Sequence, residues 1–165
     1  MTADHSISTL RDALAEARAN LLDAMTGLTE RDFASTFEAG AIDDPELNAT
    51  TVVGLLAAVV ASEYGAVRRA RAAVPAIEPR PARSASGEPP ARILPPQVVH
   101  GLAGARHETS VLLEHIETLS NPRATLDSPV ARADDQPETT VHSLLEAIAR
   151  RENQAAQRIR SRPSR

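Results

Sequence analysis

At 165 residues the chain has the length of one domain. Apolar residues make up 42% of it but aromatics only 2%, so its core must be built from Leu, Val, Ile and Ala, a composition that leans towards helices. Cysteine is absent, which excludes disulfides and thiolate metal sites, and the net charge of −4 is uneven: residues 150–165 sum to +5, leaving residues 1–149 at −9.

Four segments carry helical periodicity, and each break between them is marked by Pro or Gly. The first runs from about Ile7 to Leu28, where Ile7, Leu10, Leu14, Ala17, Leu21, Met25 and Leu28 recur at steps of three and four. Ser6 is placed to cap it. The acidic stretch Glu38–Glu46, with Pro45 inside it, reads as a loop. The second segment spans about Thr50 to Ala73 and stops before Pro75. Val52, Val53, Leu56, Val59, Val60 and Val67 form one face, and the small residues Gly54, Ala58, Ala61, Ser62 and Gly65 form another. That small face is expected where another helix approaches, within the fold or across a dimer.

Residues 75–96 hold seven prolines and form a long crossover. Pro95 and Pro96 suit the first turn of the third helix, which runs to about Leu119 with the stripe Val98, Leu102, Ala105, Leu112, Leu113, Ile116 and Leu119. Asn121-Pro122 ends it. The fourth helix covers about Thr139 to Arg160, with Val141, Leu144, Leu145, Ile148, Ala155 and Ile159 inward. Residues 1–165 therefore read as one all-α domain, a four-helix bundle with residues 161–165 as a disordered tail. No signal pattern opens the chain and no apolar run approaches the ~18 residues of a membrane span, so the expected location is the cytoplasm.

The residues with chemistry are few. His100 and His107 share a face opposite the apolar stripe of the third helix, which points them to water. His142 and Glu146 stand four apart but away from the inner stripe, and two ligands make a weak metal site. His115 lies at a stripe edge, suited to a hydrogen bond within the fold, and His5 precedes the first helix. Glu63 and Glu152 are different, because both project into apolar stripes, where an isolated carboxylate is costly. Two readings stand open: an ion pair with an arginine such as Arg151, Arg18 or Arg106, or a polar centre formed by Glu63, Glu152 and Arg151 at the base of a ligand pocket. The basic C-terminus reads as a solvated helix end, with nucleic-acid phosphate as the competing partner.

Three stretches resemble the DinB/YfiT-like superfamily. They are residues 13–30 (ALAEARANLLDAMTGLTE), 51–64 (TVVGLLAAVVASEY) and 140–152 (TVHSLLEAIARRE). The resemblance implies that family's four-helix bundle, and a divalent metal held by one His of the second helix and an HxxxH pair of the fourth. Carried over residue by residue, the first position falls on Ala58 or Val59 and the pair on Arg151 and Ala155. Ala147, where relatives often carry His, is also without a donor. Ala and Val offer no donor atom and Arg no lone pair, so no metal or other cofactor is expected. The resemblance thus implies a homodimeric bundle that serves as a binding or interaction module for an unidentified ligand and not as an enzyme. Its alternative is a metal-dependent thiol S-transferase of the bacillithiol or mycothiol type, with a site shifted to Glu63, Glu152 or His142.

Overall fold

The computed structural model describes residues 6–37, 44–75, 95–131 and 139–162. His5, the 76–94 part of the Pro-rich crossover, residues 38–43 and residues 163–165 lie outside the described residues. Four long helices dominate: α1 (Ile7–Met25), α3 (Val52–Ala73), α4 (Pro95–Thr118) and α6 (Val141–Arg160). Two short helices, α2 (Glu30–Ala34) and α5 (Pro122–Leu126), a 3-10 turn at Pro45–Leu47 and a ribbon of β1 (Pro129–Val130) with β2 (Thr139–Thr140) complete the described chain. Among the described residues no helix is long and apolar enough to cross a membrane.

Local chemistry explains the boundaries. The side-chain oxygens of Ser6, Thr51 and Thr140 accept from the amides of Thr9, Gly54 and Ser143, so three of the long helices begin on a hydroxyl cap. Thr29 and Asp32 form a reciprocal capping box that starts α2 where the sequence suggested only chain. Helix α1 stops at Met25, short of Leu28, because Gly27 takes the left-handed backbone (φ 81°) that ends a helix cheaply. Helix α6 begins at Val141 because residues 139–140 pair with β1 in antiparallel register, Pro129 opposite Thr140 and Val130 opposite Thr139.

Helix α1 packs on α6, and α3 packs on both α4 and α6. The core they enclose is two apolar clusters stacked end to end. One gathers Leu10, Leu14, Ala17, Ala66, Leu112, Ile116, Ile148 and Ala149; the other gathers Leu21, Leu47, Leu55, Leu56, Val59, Leu102, Ala155 and Ile159. On every long helix the changeover between clusters is occupied by a charged side chain: Arg18 on α1, Glu63 on α3, Arg106 on α4 and Glu152 on α6.

The buried face of α3 is rotated from its expected position. Leu55, Ala66 and Ala70 are buried, while Val53 and Val60 are only half-buried. The small face is correspondingly split: Ser62 is buried and Ala58 packs against the second cluster, but at Ala61 and Gly65 it is open. Ala61 is exposed, and a Cβ added at Gly65 would meet nothing within 4 Å. The close approach between α3 and α4 uses glycines of α4 instead. A Cβ at Gly101 would stand 3.4 Å from Val60, and one at Gly104 only 2.8 Å from the Tyr64 hydroxyl.

Candidate functional site

The polar layer between the two clusters is the chemical centre of the molecule. Glu63 and Glu152 are both completely buried. The Arg18 guanidinium enters from α1, donating from Nε to Glu152 Oε1 (2.9 Å), from Nη2 to Glu63 Oε2 (2.7 Å) and from Nη1 to the Leu102 carbonyl (2.6 Å). Arg106 enters from α4 and donates from Nη2 to both oxygens of Glu152 at 2.8 Å, with its Nε 3.3 Å from Glu63 Oε1. The buried Thr109 hydroxyl, one turn along α4, donates to Glu63 Oε1 at 2.7 Å. Two cations thus face two anions, and each long helix contributes one charge.

Burial pushes the Glu63 carboxyl above its ordinary range; Arg106, the Thr109 hydrogen bond and Arg18 pull it back without cancelling the effect, and the neighbouring Glu152 charge adds to the rise. A carboxyl raised in the folded state stabilises fully below its unfolded value. That contribution fades as pH climbs through the folded one.

Of the residues expected at this centre, the structure brings together Glu63 and Glu152 but not Arg151. Arg151 points away, donating from Nε to Asp44 Oδ2 at 2.8 Å, with its Nη1 2.9 Å from Glu46 Oε2. The cause is helical rotation: a neighbour in sequence stands about 100° around the helix, so Arg151 and Glu152 cannot share a face. Arg151 pins the 3-10 turn to α6. Burial would raise the Asp44 carboxyl, but the Arg151 hydrogen bond, the Glu46 amide and the nearby Arg151 and Arg150 charges outweigh it and hold Asp44 low. Stability from this pair is therefore present above the unfolded carboxylate value of about 4 and lost as pH falls through the lower folded one. The amide-exchange protection factors of Leu47 and Asn48, that is their rates relative to the intrinsic rate at each pH, should fall at about pH 3 relative to about pH 6 while those of Leu55 and Leu56 are kept. Equal protection at both pH values would show that the pair does not hold the turn.

Three further arginines of the C-terminal stretch are also engaged. The Arg158 guanidinium lies 4.5 Å from the Phe37 ring centroid, Arg160 pairs with Asp23 at 2.9 Å and Arg162 with Asp32 at 3.2 Å. Arg158 and Arg162 thus hold the α1–α3 connection, Arg160 makes an exposed pair with α1, and the expected tail at 161–165 is held as far as Arg162. His100, His107 and Glu146 are exposed and His142 half-buried; His115 Nε2 lies 3.4 Å from the Pro75 carbonyl. Among the described residues no group of three or more His, Asp or Glu is placed to hold a metal ion. Val59 and Ala155 lie in one apolar cluster with Ala58 packed against it.

Sequence reasoning named Arg106 only as one possible partner and missed Thr109 altogether. The signal was present as a gap: the α4 stripe passes from Ala105 to Leu112, and the helical steps between fall on Arg106 and Thr109. No protein-family model matches the chain, and comparison with curated proteins and with solved structures finds no significant match.

Proposed function

We propose that the chain is a DinB/YfiT-like four-helix bundle that carries an internal ion-pair layer in place of a metal centre, and that it works as a binding or interaction module, as a homodimer in the cytoplasm, rather than as an enzyme. The observation that carries this reading is the pairing of both buried carboxylates within the polar layer. Every oxygen of the two carboxylates accepts a hydrogen bond from Arg18, Arg106 or Thr109, so both groups are engaged within the fold rather than presented to a substrate or a metal. The residues that match the family's ligands support it independently, since Val59, Ala155 and the adjoining Ala58 converge on one apolar cluster without a donor atom among them.

The test is to restore the ligands. Val59→His, Arg151→His and Ala155→His together should give a variant that retains close to one zinc per chain after exhaustive dialysis, the occupancy of a three-His site. The unaltered chain should retain essentially none. Stoichiometric metal in the unaltered chain would overturn the reading, and a triple variant that stays empty would break the residue-by-residue match to the family.

A further inference from the structure

The two buried carboxylates of the layer are unequally held. Five hydrogen bonds run from the two guanidiniums to carboxylate oxygens, and four of them end on Glu152: two from Arg18 and two from Arg106. Glu63 receives one, from Arg18 Nη2 to Oε2. The Arg106 Nε that stands 3.3 Å from Glu63 Oε1 is not aligned to donate to it, and this nitrogen is buried with no hydrogen-bond partner among the described residues. A hydroxyl fills that place instead, since Thr109 donates to Glu63 Oε1 at 2.7 Å. The same hydroxyl lies 3.2 Å from the Ala105 carbonyl, one helical turn back. It has a single proton to give and can also accept. Thr109 therefore stands between an anion and a carbonyl and can serve either.

We infer that Glu63 is a proton switch at the centre of the bundle: it takes a proton on Oε1, donates it to Thr109 Oγ1, and turns the Thr109 hydroxyl onto the Ala105 carbonyl. The proton comes from solvent and no other atom is exchanged. Both states keep Glu63 and Thr109 satisfied, because Oε2 of the neutral carboxyl still accepts from Arg18 Nη2 while the reversed chain runs from Glu63 through Thr109 to Ala105. The charge of the layer changes from two cations against two anions to two against one, and Glu152 holds both guanidiniums alone. Burial disfavours the charged carboxyl and the Glu152 charge adds to this, against the pull of Arg106, Thr109 and Arg18, so Glu63 binds its proton above the ordinary carboxylate range. Arg18 faces it from α1, Arg106 and Thr109 from α4 and Glu152 from α6. The other elements packed on α3 turn their charges elsewhere: Asp44 and Glu46 of the 3-10 turn meet Arg151, Asp32 of α2 meets Arg162, Glu30 and Arg31 are exposed, and β1 has none. On α3 itself Arg69 reaches Glu46 and Arg71 reaches Glu108. Arg18 and Arg106 keep 12% and 19% of their side chains exposed, so the layer meets solvent at its arginine edge and a proton can arrive without unfolding.

Carbon-13 NMR of the side-chain carboxyls tests the switch, with the Glu63 signal assigned by its loss in Glu63→Gln. In the folded chain this carboxyl should titrate with a midpoint above the ordinary glutamate value of about 4.3. Thr109→Val keeps the shape and removes a bond that is stronger to the charged form, so it should raise the midpoint. Glu152→Gln removes a repelling charge and leaves both guanidiniums to Glu63, so it should lower it. Glu63→Gln fixes the neutral pattern, with its amide donating to Thr109, and should stay folded by circular dichroism. The folded chain holds the proton more tightly than the unfolded one. The melting temperature of the unaltered chain relative to Glu63→Gln should therefore rise as pH falls from about 7 to about 5, and level off below the unfolded value. A midpoint at or below about 4.3, or one that both variants leave in place, would overturn the switch. So would a flat stability difference over that range, or a Glu63→Gln chain that does not fold.

Discussion

Replacing Glu152 with Leu should destabilise the protein by about 3–5 kcal/mol, the cost of leaving one member of a buried ionic group without its counter-charge. Arg106 Nη2 would lose both of its bonds and Arg18 Nε its only one, while two guanidiniums would remain beside Glu63 alone. The ion pairs need not add net stability over an apolar core, since removing two charges from water is itself costly. The loss comes from the imbalance. Denaturant unfolding of Glu152→Leu measures it, and a change below about 1 kcal/mol would mean that water reaches the layer and screens it. A double-mutant cycle locates the partner. Glu152→Gln with Arg106→Met should couple by more than about 1 kcal/mol, whereas Glu152→Gln with Arg151→Met should be close to additive, since Arg151 serves Asp44.

Leu47→Ala should cost about 2–5 kcal/mol, as much as truncating a leucine in the middle of a helix. Leu47 lies in the three-residue turn Pro45–Leu47, yet it is completely buried in the cluster that holds Leu21, Leu55, Leu56 and Ile159. The Asp44 carboxylate caps this turn at the Glu46 amide and Arg151 grips it from α6, so the leucine is inserted from a connection tied at its base. Thermal unfolding of Leu47→Ala, beside Leu22→Ala at an exposed position of α1 as the control, separates anchoring from a general loss of bulk. Similar small shifts for both would show that the turn can leave the core freely.

The two kinds of information in this sequence were unequally readable. The stripes of α1 and α6 were legible because a 3.6-residue repeat of Leu, Ile and Val has no other explanation, and the buried sets Ile7, Leu10, Leu14, Ala17, Leu21 and Val141, Leu144, Leu145, Ile148 follow it directly. The face of α3 was harder, since valines and alanines surround that helix and the rotation that buries Leu55 and exposes Ala61 is fixed by neighbours. The inward carboxylates were legible as misfits in apolar stripes. Their partners were not, because an arginine's long side chain reads as surface until the facing helix is known. Arg18 and Arg106 look like any other arginine of the chain, and only packing distinguishes them from Arg151. The arginine clamp on the α1–α3 connection was invisible for the same reason.

The ion-pair layer also bears on how the chain reaches its fold. Arg18 and Glu152 are 134 residues apart, and the half-buried charge of the first long helix is answered by the last one to be synthesised. A partial assembly of any three long helices holds a polar group whose counterpart is missing: without α4, Glu63 loses Thr109 and Arg106, and without α6, both guanidiniums crowd a single carboxylate. Each such species carries the penalty of an uncompensated charge in an apolar interior. Half-built states are thereby kept sparsely populated, so the helices should come apart and come together in one cooperative step, with no stable fragment ending before Glu152.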